Sequence, residues 1–159
     1  MKLYLAQHGQ ALSEAEDPQR PLSEAGRAEV ECVARALGAA GVRVQRVWHS
    51  GKPRALQTAE ILARRVMPRG RVEAVTGLGP NAAVGEFIAD ADVWQEDVLV
   101  VGHLPFMARL VALLLVQDAE RELVGFRPGS VLCLARGAHE RWVLEWLLRP
   151  ELCGAAGAS

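Results

Sequence analysis

The sequence predicts an α/β domain, a three-layer helix–sheet–helix sandwich with a mostly parallel sheet and an antiparallel addition near the C-terminus. Short apolar runs alternate with longer segments whose apolar residues recur at helical spacing, which is typical of parallel strands covered by helices. Two of the runs end where histidine adjoins glycine, at His8-Gly9 and at Gly102-His103. Near the end of the chain, two strand-like segments follow each other without an intervening helix.

Composition and charge exclude several classes of protein. The 159 residues are 50% hydrophobic and 23% charged, as in ordinary globular proteins, and their net charge is −1. We therefore expect no general electrostatic attraction to nucleic acid or to an anionic membrane. The length predicts a single domain over residues 1–150 and a disordered tail over residues 151–159.

Cysteine usage and the terminus indicate the compartment. Cys32, Cys133 and Cys153 are far apart and odd in number, which fits neither a disulfide framework nor a zinc site. The N-terminus lacks the apolar core of a signal peptide, and no apolar run reaches the length of a membrane span. We therefore expect a cytoplasmic protein.

The first half of the chain predicts two strand–helix pairs. Leu3–Gln7 is the first strand, and a helix follows it after Ser23, which is a typical N-cap residue. Val42–Trp48 alternates apolar and polar residues, which predicts the second strand. Pro53 favours a first helical turn, so we expect the second helix over residues 53–67.

The second half predicts two further strand–helix pairs and a hairpin. The expected bounds of these strands and helices, in order, are 71–75, 82–89, 98–101 and 106–116. Segments 130–135 and 141–147 flank a turn and predict the hairpin. Trp142, Leu144 and Trp146 are expected on one face of its second strand.

Polar residues follow three of the predicted parallel strands, at the edge of the sheet where open α/β folds bind ligands. His8 follows the first strand, Arg54 lies in the first turn of the helix after the second, and His103 follows the fourth. Arginine fits phosphate bidentately, and a helix N-terminus attracts anions. An unprotonated histidine can attack phosphorus. The pattern predicts a phosphoryl-transfer pocket that needs no metal and no cofactor.

The same segments resemble the histidine phosphatase superfamily, and within it the small SixA-type phosphohistidine phosphatases. The resemblance runs in order through most of the chain. The segments that carry it are Leu3-Tyr4-Leu5-Ala6-Gln7-His8-Gly9, Asp17 through Arg20-Pro21-Leu22 to Gly26, Ser50 with Arg54-Ala55 and Gln57-Thr58-Ala59, and Val100-Val101-Gly102-His103-Leu104-Pro105.

The resemblance implies a three-layer α/β fold around a mostly parallel sheet, and it also implies a mechanism and a substrate. The phosphoryl group would form a covalent intermediate on His8, cradled by Arg54 and His103, before water releases it. The substrate would be phosphohistidine in a protein or peptide, such as a histidine phosphotransfer partner, because so short a chain leaves little material for a lid around a small molecule. Nucleic acid and membranes are not expected partners.

Position 7 departs from the family, which has an arginine immediately before the nucleophilic histidine. Gln7 can donate a hydrogen bond to a phosphate oxygen but carries no charge. A charge-assisted hydrogen bond contributes about 1.5–3 kcal/mol, so the loss corresponds to about one to two orders of magnitude in rate. We expect a weakened enzyme, with Gln7, His8, Arg54 and His103 binding the phosphate.

The proton donor for the leaving group and the periphery of the pocket are left open by the sequence. Glu86 is one candidate acid, and Glu14 and Asp17 are others, although a solvated surface carboxylate is the better explanation of each. Gly9 and Arg20 are expected at the periphery, where Arg20 either contacts substrate or braces the loop by pairing with Asp17. His49 is expected to orient the turn at Ser50 rather than to reach substrate.

Two alternative functions remain at this point. A phosphatase of small phosphate esters is favoured if Glu86 or a neighbouring residue lies buried beside His8. A non-catalytic module that binds phosphate or a phosphoprotein is favoured if Gln7 abolishes turnover.

Overall fold

The computed structural model describes residues 1–91 and 95–154, and for residues 90 and 91 it describes the backbone only. The strands and α-helices of these residues are β1 (Lys2–Gln7), α1 (Glu24–Ala39), β2 (Arg46–His49), α2 (Pro53–Val66), β3 (Glu73–Ala74), α3 (Val84–Ala91), β4 (Val98–Gly102), α4 (Phe106–Val116), β5 (Val131–Arg136) and β6 (Trp142–Leu148). Two short 3-10 turns lie at Ala138–Glu140 and Pro150–Leu152.

The strands form one mixed sheet in the order β3-β2-β4-β1-β5-β6. The first four strands of the chain, β1 to β4, pair in parallel with one another. β5 runs antiparallel to both of its neighbours, β1 and β6. This arrangement confirms the predicted fold class. The carboxyl ends of β1, β2 and β4 consequently lie side by side at one edge of the sheet.

Helices cover both faces of the sheet, and side-chain alternation along β1 shows why. Tyr4 and Ala6 pack with α1 and α2, whereas Leu3 and Leu5 pack with α3 and α4 on the opposite face. β4 alternates in the same way and is buried throughout. A strand covered on both faces needs apolar residues at every position, which explains the continuous apolar runs in the sequence.

Helix starts were predicted closely, but the second strand is shorter than predicted. Ser23 caps α1, since its side chain accepts a hydrogen bond from the backbone of Gly26. The predicted strand over 42–48 begins only at Arg46, because the backbone of Val42 donates to the end of α1 and that of Val44 donates to Val66 at the end of α2. The alternation at 42–45 therefore reflects packing between helix ends, not pairing in the sheet.

The third strand and third helix also differ from prediction in their bounds. β3 covers only residues 73–74, because it is an edge strand that pairs with no more than the end of β2. α3 begins at Val84, two residues later than predicted, because the backbone of Ala82 closes a turn onto Gly79 instead.

The predicted shared face of the tryptophans on β6 is wrong. Between the pairs Cys133–Trp146 and Leu134–Leu144 the register shifts by one residue, which leaves Glu145 as the extra residue of a β-bulge. Trp142 consequently packs on the side of α3 and α4, and Trp146 packs on the side of α1 and α2.

The chain after β6 continues as the 3-10 turn at Pro150–Leu152, which packs against α1. Glu151 pairs with Arg127 at 2.9 Å and with Arg149 at 2.8 Å. Of the predicted tail, residues 155–159 lie outside the described part of the chain. Within that part, no helix has the length and apolar character needed to cross a membrane.

Candidate active site

His8 lies immediately after β1 and is held by hydrogen bonds to the end of β4 and to its own turn. Its backbone N–H donates to Gly102 at 3.0 Å, which holds it beside the end of β4. The ring Nδ1 lies 2.7 Å from the carbonyl oxygen of Gly9. Because a carbonyl oxygen only accepts hydrogen bonds, Nδ1 carries the proton. In the neutral imidazole the opposite nitrogen, Nε2, is then unprotonated and has a free lone pair.

A buried hydroxyl connects the His8 turn to α2. The backbone N–H of Gly9 donates to Thr58 Oγ1 at 3.0 Å, and that hydroxyl donates to the carbonyl of Arg54 at 2.7 Å. Gly9 also needs to be glycine, because a Cβ there would lie 2.7 Å from a methyl carbon of Val30. The turn that carries His8 is thus held between α1 and α2.

Arg54 lies in the first turn of α2, after the N-terminal Pro53. Its Nε is buried and has no hydrogen-bond partner among the described residues. Burial lowers the pKa of its guanidinium, and the positive charge of Arg20 lowers it further. Arginine remains charged in proteins, so the helix N-terminus and the guanidinium together provide an anion-binding position.

His103 follows β4 and is buried, with 2% of its surface exposed. Its Nε2 lies 2.6 Å from Ser50 Oγ, whereas its Nδ1 is buried and unpartnered in the described structure. The ring centroids of His8 and His103 are 4.9 Å apart, with the planes inclined by 52°. The two imidazoles therefore share one site, as predicted from the strand ends.

The site is cationic although the protein has a net charge of −1. Burial lowers the pKa of His8 to about 4 against the raising effect of its bond to Gly9, and the charges of Arg54 and Arg20 make smaller lowering contributions. Burial lowers the pKa of His103 to about 3, with contributions from His8, Arg54, Lys52 and Arg20. Both histidines are therefore neutral at pH 7. No carboxylate is among the groups that shift these two pKa values in the described structure.

Gln7 is the last residue of β1 and pairs with Gly102 of β4. It is 7% exposed, and its side-chain Oε1 is buried without a hydrogen-bond partner in the described structure. Gln7 thus lies next to His8 in the chain and beside the residue that precedes His103. Its amide oxygen is therefore a buried polar atom without a hydrogen-bond partner among the described residues.

Arg20 lies on the loop between β1 and α1 in a left-handed backbone conformation, with φ of 47°. Its Nε donates to the carbonyl of Leu12 at 3.1 Å, and its backbone N–H donates to the carbonyl of Asp17 at 2.9 Å. The Asp17 carboxylate accepts from the backbone of Gln19 instead of pairing with the guanidinium. Arg20 therefore braces the loop through backbone carbonyls, and its charge also acts on both site histidines.

The candidate acids do not join this cluster. Glu14 and Glu86 are exposed, and Asp17 is half-buried in its own turn. Among the described side chains, no group of three or more His, Cys, Asp or Glu residues is placed to hold a metal ion. His49 accepts from the backbone of Gly51 at 3.0 Å and so orients the turn after β2, as predicted.

Sequence reasoning missed the roles of three neighbouring groups. Ser50 and Thr58 hold His103 and the His8 turn through their hydroxyls, and Lys52 adds positive charge at the N-cap of α2. All three lie within one strand–turn–helix segment. A search for hydroxyl and basic residues around the first turn of α2 would have found them.

Comparisons with known proteins agree with this geometry. Residues 3–78 match the sequence profile of the histidine phosphatase superfamily (branch 1). An uncharacterised protein of Picosynechococcus sp. is 30% identical over 166 residues, which cover 93% of this chain and 99% of that protein.

Solved structures show the same fold over nearly the whole chain. The protein histidine phosphatase SixA, solved in complex with tungstate, has a TM-score of 0.81 and 27% identity, covering 96% of this chain and 99% of that one. The α-ribazole phosphatase of Shigella flexneri has a TM-score of 0.78 at 17% identity, covering 94% and 97% of the two chains, which is a likeness of fold. The chain belongs to the histidine phosphatase superfamily and resembles its SixA-type members.

Proposed function

We propose that this member of the superfamily is a phosphatase that hydrolyses phosphohistidine in a protein or peptide through a phosphoryl intermediate on His8. The observation that carries the proposal is the tautomer of His8: Nδ1 is bound to the Gly9 carbonyl at 2.7 Å, which leaves Nε2 unprotonated. A neutral imidazole held in this way is a nucleophile for phosphorus at neutral pH.

In the first step, the Nε2 lone pair of His8 attacks phosphorus. The phosphorus–nitrogen bond of the substrate breaks, its electron pair stays on the substrate imidazole, and that nitrogen takes a proton from water. Arg54 and His103 stabilise the charge on the equatorial oxygens during transfer. Arg54 Nε and His103 Nδ1 support this role, because both are buried polar atoms that no group among the described residues hydrogen-bonds.

In the second step, water attacks the phosphoryl group on His8. The new bond joins the water oxygen to phosphorus, the bond to Nε2 breaks, and phosphate leaves as the water proton passes to solvent. His8 returns to its neutral form, since its lowered pKa of about 4 keeps Nε2 unprotonated at neutral pH.

The leaving group favours phosphohistidine over a phosphate ester. An alkoxide leaving group needs a proton donor beside the scissile bond, whereas an imidazole leaves more readily. Glu86, the candidate donor for ester hydrolysis, is exposed on α3. The SixA neighbour is described as a protein histidine phosphatase, which supports a phosphorylated protein as the substrate class.

Gln7 is proposed to weaken this activity without removing it. Arg54, Arg20 and Lys52 still supply positive charge to the site, as their effects on the pKa of His103 indicate. We expect Gln7→Arg to raise kcat/KM by about ten-fold to a hundred-fold, the gain that corresponds to one charge-assisted hydrogen bond.

The test is phosphate release from a phosphohistidine peptide and from an aryl phosphate, with EDTA present, for the wild type and variants. His8→Ala should abolish release, because the nucleophile is lost. His139→Ala is the matched control, since His139 is an exposed histidine in the turn between β5 and β6 and should leave the rate unchanged.

Three results would contradict the proposal. Release that persists in His8→Ala would exclude His8 as the nucleophile. Faster turnover of the aryl ester than of the phosphopeptide would favour the small-ester alternative. Phosphate binding without release in the wild type, with activity appearing only in Gln7→Arg, would identify a binding module that has lost the reaction.

A further inference from the structure

Arg20 lies on the loop between β1 and α1, away from the strand ends that carry the other site residues. We propose that Arg20 supplies the phosphate site with the positive charge that Gln7 does not provide. The proposal rests on the proposed function, since it takes the site at His8 and Arg54 to be the phosphate pocket.

The loop that carries Arg20 is closed by pairing at its base. The backbone N–H of Leu12 donates to the carbonyl of Pro21 at 2.9 Å. The Arg20 side chain folds back over this pairing, since its Nε donates to the carbonyl of Leu12 at 3.1 Å. The guanidinium is therefore held against a residue that follows His8 closely in the chain.

The same loop base contacts the two elements that carry the proposed nucleophile and the anion-binding helix N-terminus. The backbone N–H of Leu22 donates to Oε1 of Gln57 on α2 at 2.7 Å. A Cβ added to Gly9, in the turn after β1, would lie 3.0 Å from Cδ2 of Leu22. Arg20 thus extends from a loop that is anchored beside both the turn after β1 and the start of α2.

The conformation of Arg20 indicates a residue kept for its side chain. Its φ of 47° lies in the left-handed region, which is unfavourable for residues other than glycine, asparagine and aspartate. Among the described residues, no carboxylate pairs with its guanidinium, and the bond from Nε is the one hydrogen bond that its side chain makes. The charge is consequently not neutralised by a neighbouring acid in the described structure.

The charge of Arg20 reaches each of the three groups proposed to hold the phosphoryl group. Burial is the largest cause of the lowered pKa of His8, His103 and Arg54, and the charge of Arg20 lowers each of these pKa values further. A charge that disfavours protonation of these groups stabilises an anion bound among them through the same Coulomb interaction. Arg20 can therefore act on a bound phosphate without belonging to the row of strand ends.

The experiment measures binding of inorganic phosphate by calorimetry at about pH 7. Arg20→Gln keeps an N–H donor for the carbonyl of Leu12 but removes the charge, and should weaken phosphate binding at least about ten-fold. Arg20→Lys keeps the charge and should bind phosphate within about three-fold of the wild type. Added sodium chloride should weaken binding more in the wild type than in Arg20→Gln, because salt screens the lost interaction.

Two further variants control for effects on folding and on overall charge. Arg20→Asn also removes the charge, and asparagine tolerates the left-handed backbone, so this variant decides the question even if Arg20→Gln does not fold. Arg35→Gln is the matched control, since Arg35 is an exposed arginine on α1 and its loss should leave phosphate binding unchanged. Thermal unfolding of each variant verifies that the protein is folded.

Phosphate binding as tight as that of the wild type in a folded charge-free variant would overturn the proposal. Binding by Arg20→Lys that is as weak as that of Arg20→Gln would also overturn it, because the arginine would then act by shape and not by charge. Failure of the wild type to bind phosphate would do the same. Since no turnover is measured, the expected binding pattern in a protein without phosphatase activity would refute only the proposed function. Activity with unchanged binding in Arg20→Gln would refute only the role of Arg20.

Discussion

At the scale of single residues, the two site histidines share one property: burial keeps both imidazoles neutral. The pKa of His8 is lowered to about 4 and that of His103 to about 3. In the unfolded chain both would titrate near 6.5. Below that pH the unfolded chain binds protons that the folded protein does not, so acid favours unfolding.

We expect these two histidines to leave the free energy of unfolding unchanged above about pH 6.5. Below about pH 6.5 they should lower it. Each histidine contributes a slope that approaches about 1.4 kcal/mol per pH unit as the pH falls toward its folded pKa. Urea unfolding between pH 7 and about pH 5 measures this slope. His8→Asn and His103→Asn should each reduce it. An unchanged slope in both variants would contradict the account of their burial.

The catalytic candidates were predictable as residues, but their hydrogen-bond partners were not. His8, Arg54 and His103 follow strands whose parallel order fixes them at one sheet edge, so the sequence was sufficient to group them. The contact of Ser50 with His103 joins residues 53 positions apart and depends on the side-chain rotamers at two strand ends. The tautomer of His8 likewise depends on the fold of its own turn.

At the scale of secondary-structure elements, Thr58 connects the β1 turn to α2 through one buried hydroxyl. It accepts from Gly9 at 3.0 Å and is itself 1% exposed. The position of His8 relative to Arg54 therefore depends on a bond between the two elements that carry them.

Thr58→Val should destabilise the protein by about 1–3 kcal/mol, because the buried N–H of Gly9 loses its acceptor. It should also lower kcat, since His8 is then held less firmly against Arg54. Thr58→Ser keeps the hydroxyl and should retain most of the activity. Thr76→Val, at an exposed threonine, is the control. Stability and kcat equal to wild type in Thr58→Val would show that this bond does not position the nucleophile.

The strands and helices were predicted best where a continuous apolar pattern runs through the whole element. They were predicted least well where pairing and packing with other elements determine which way the side chains face. The buried β4 and the apolar α4 are continuous apolar segments, and the bounds of α4 were predicted correctly at 106–116. On β6 a single extra residue, Glu145, reverses which side chains face which layer. Glu145 forms an ion pair with Lys2 at 2.8 Å, a contact across the sheet that no local pattern reveals.

At the scale of the whole molecule, the parallel sheet concentrates cationic and imidazole groups at one edge of a protein whose overall charge is close to neutral. β1, β2 and β4 are adjacent in the sheet although they are far apart in the chain. Anion affinity is consequently local, and depends on the fold more than on composition. Sequence could predict this arrangement because the direction of parallel strands determines which of their ends meet.

The central claim is that His8 carries the phosphoryl group, and the most direct measurement is to trap that intermediate. Protein mixed with a phosphohistidine peptide would be quenched within one turnover under alkaline conditions and analysed by peptide mass spectrometry. The account predicts one added phosphoryl group on the peptide that contains His8, and none in His8→Ala. Phosphoryl transfer to His103 instead, or turnover in the wild type without any phosphorylated histidine, would contradict it.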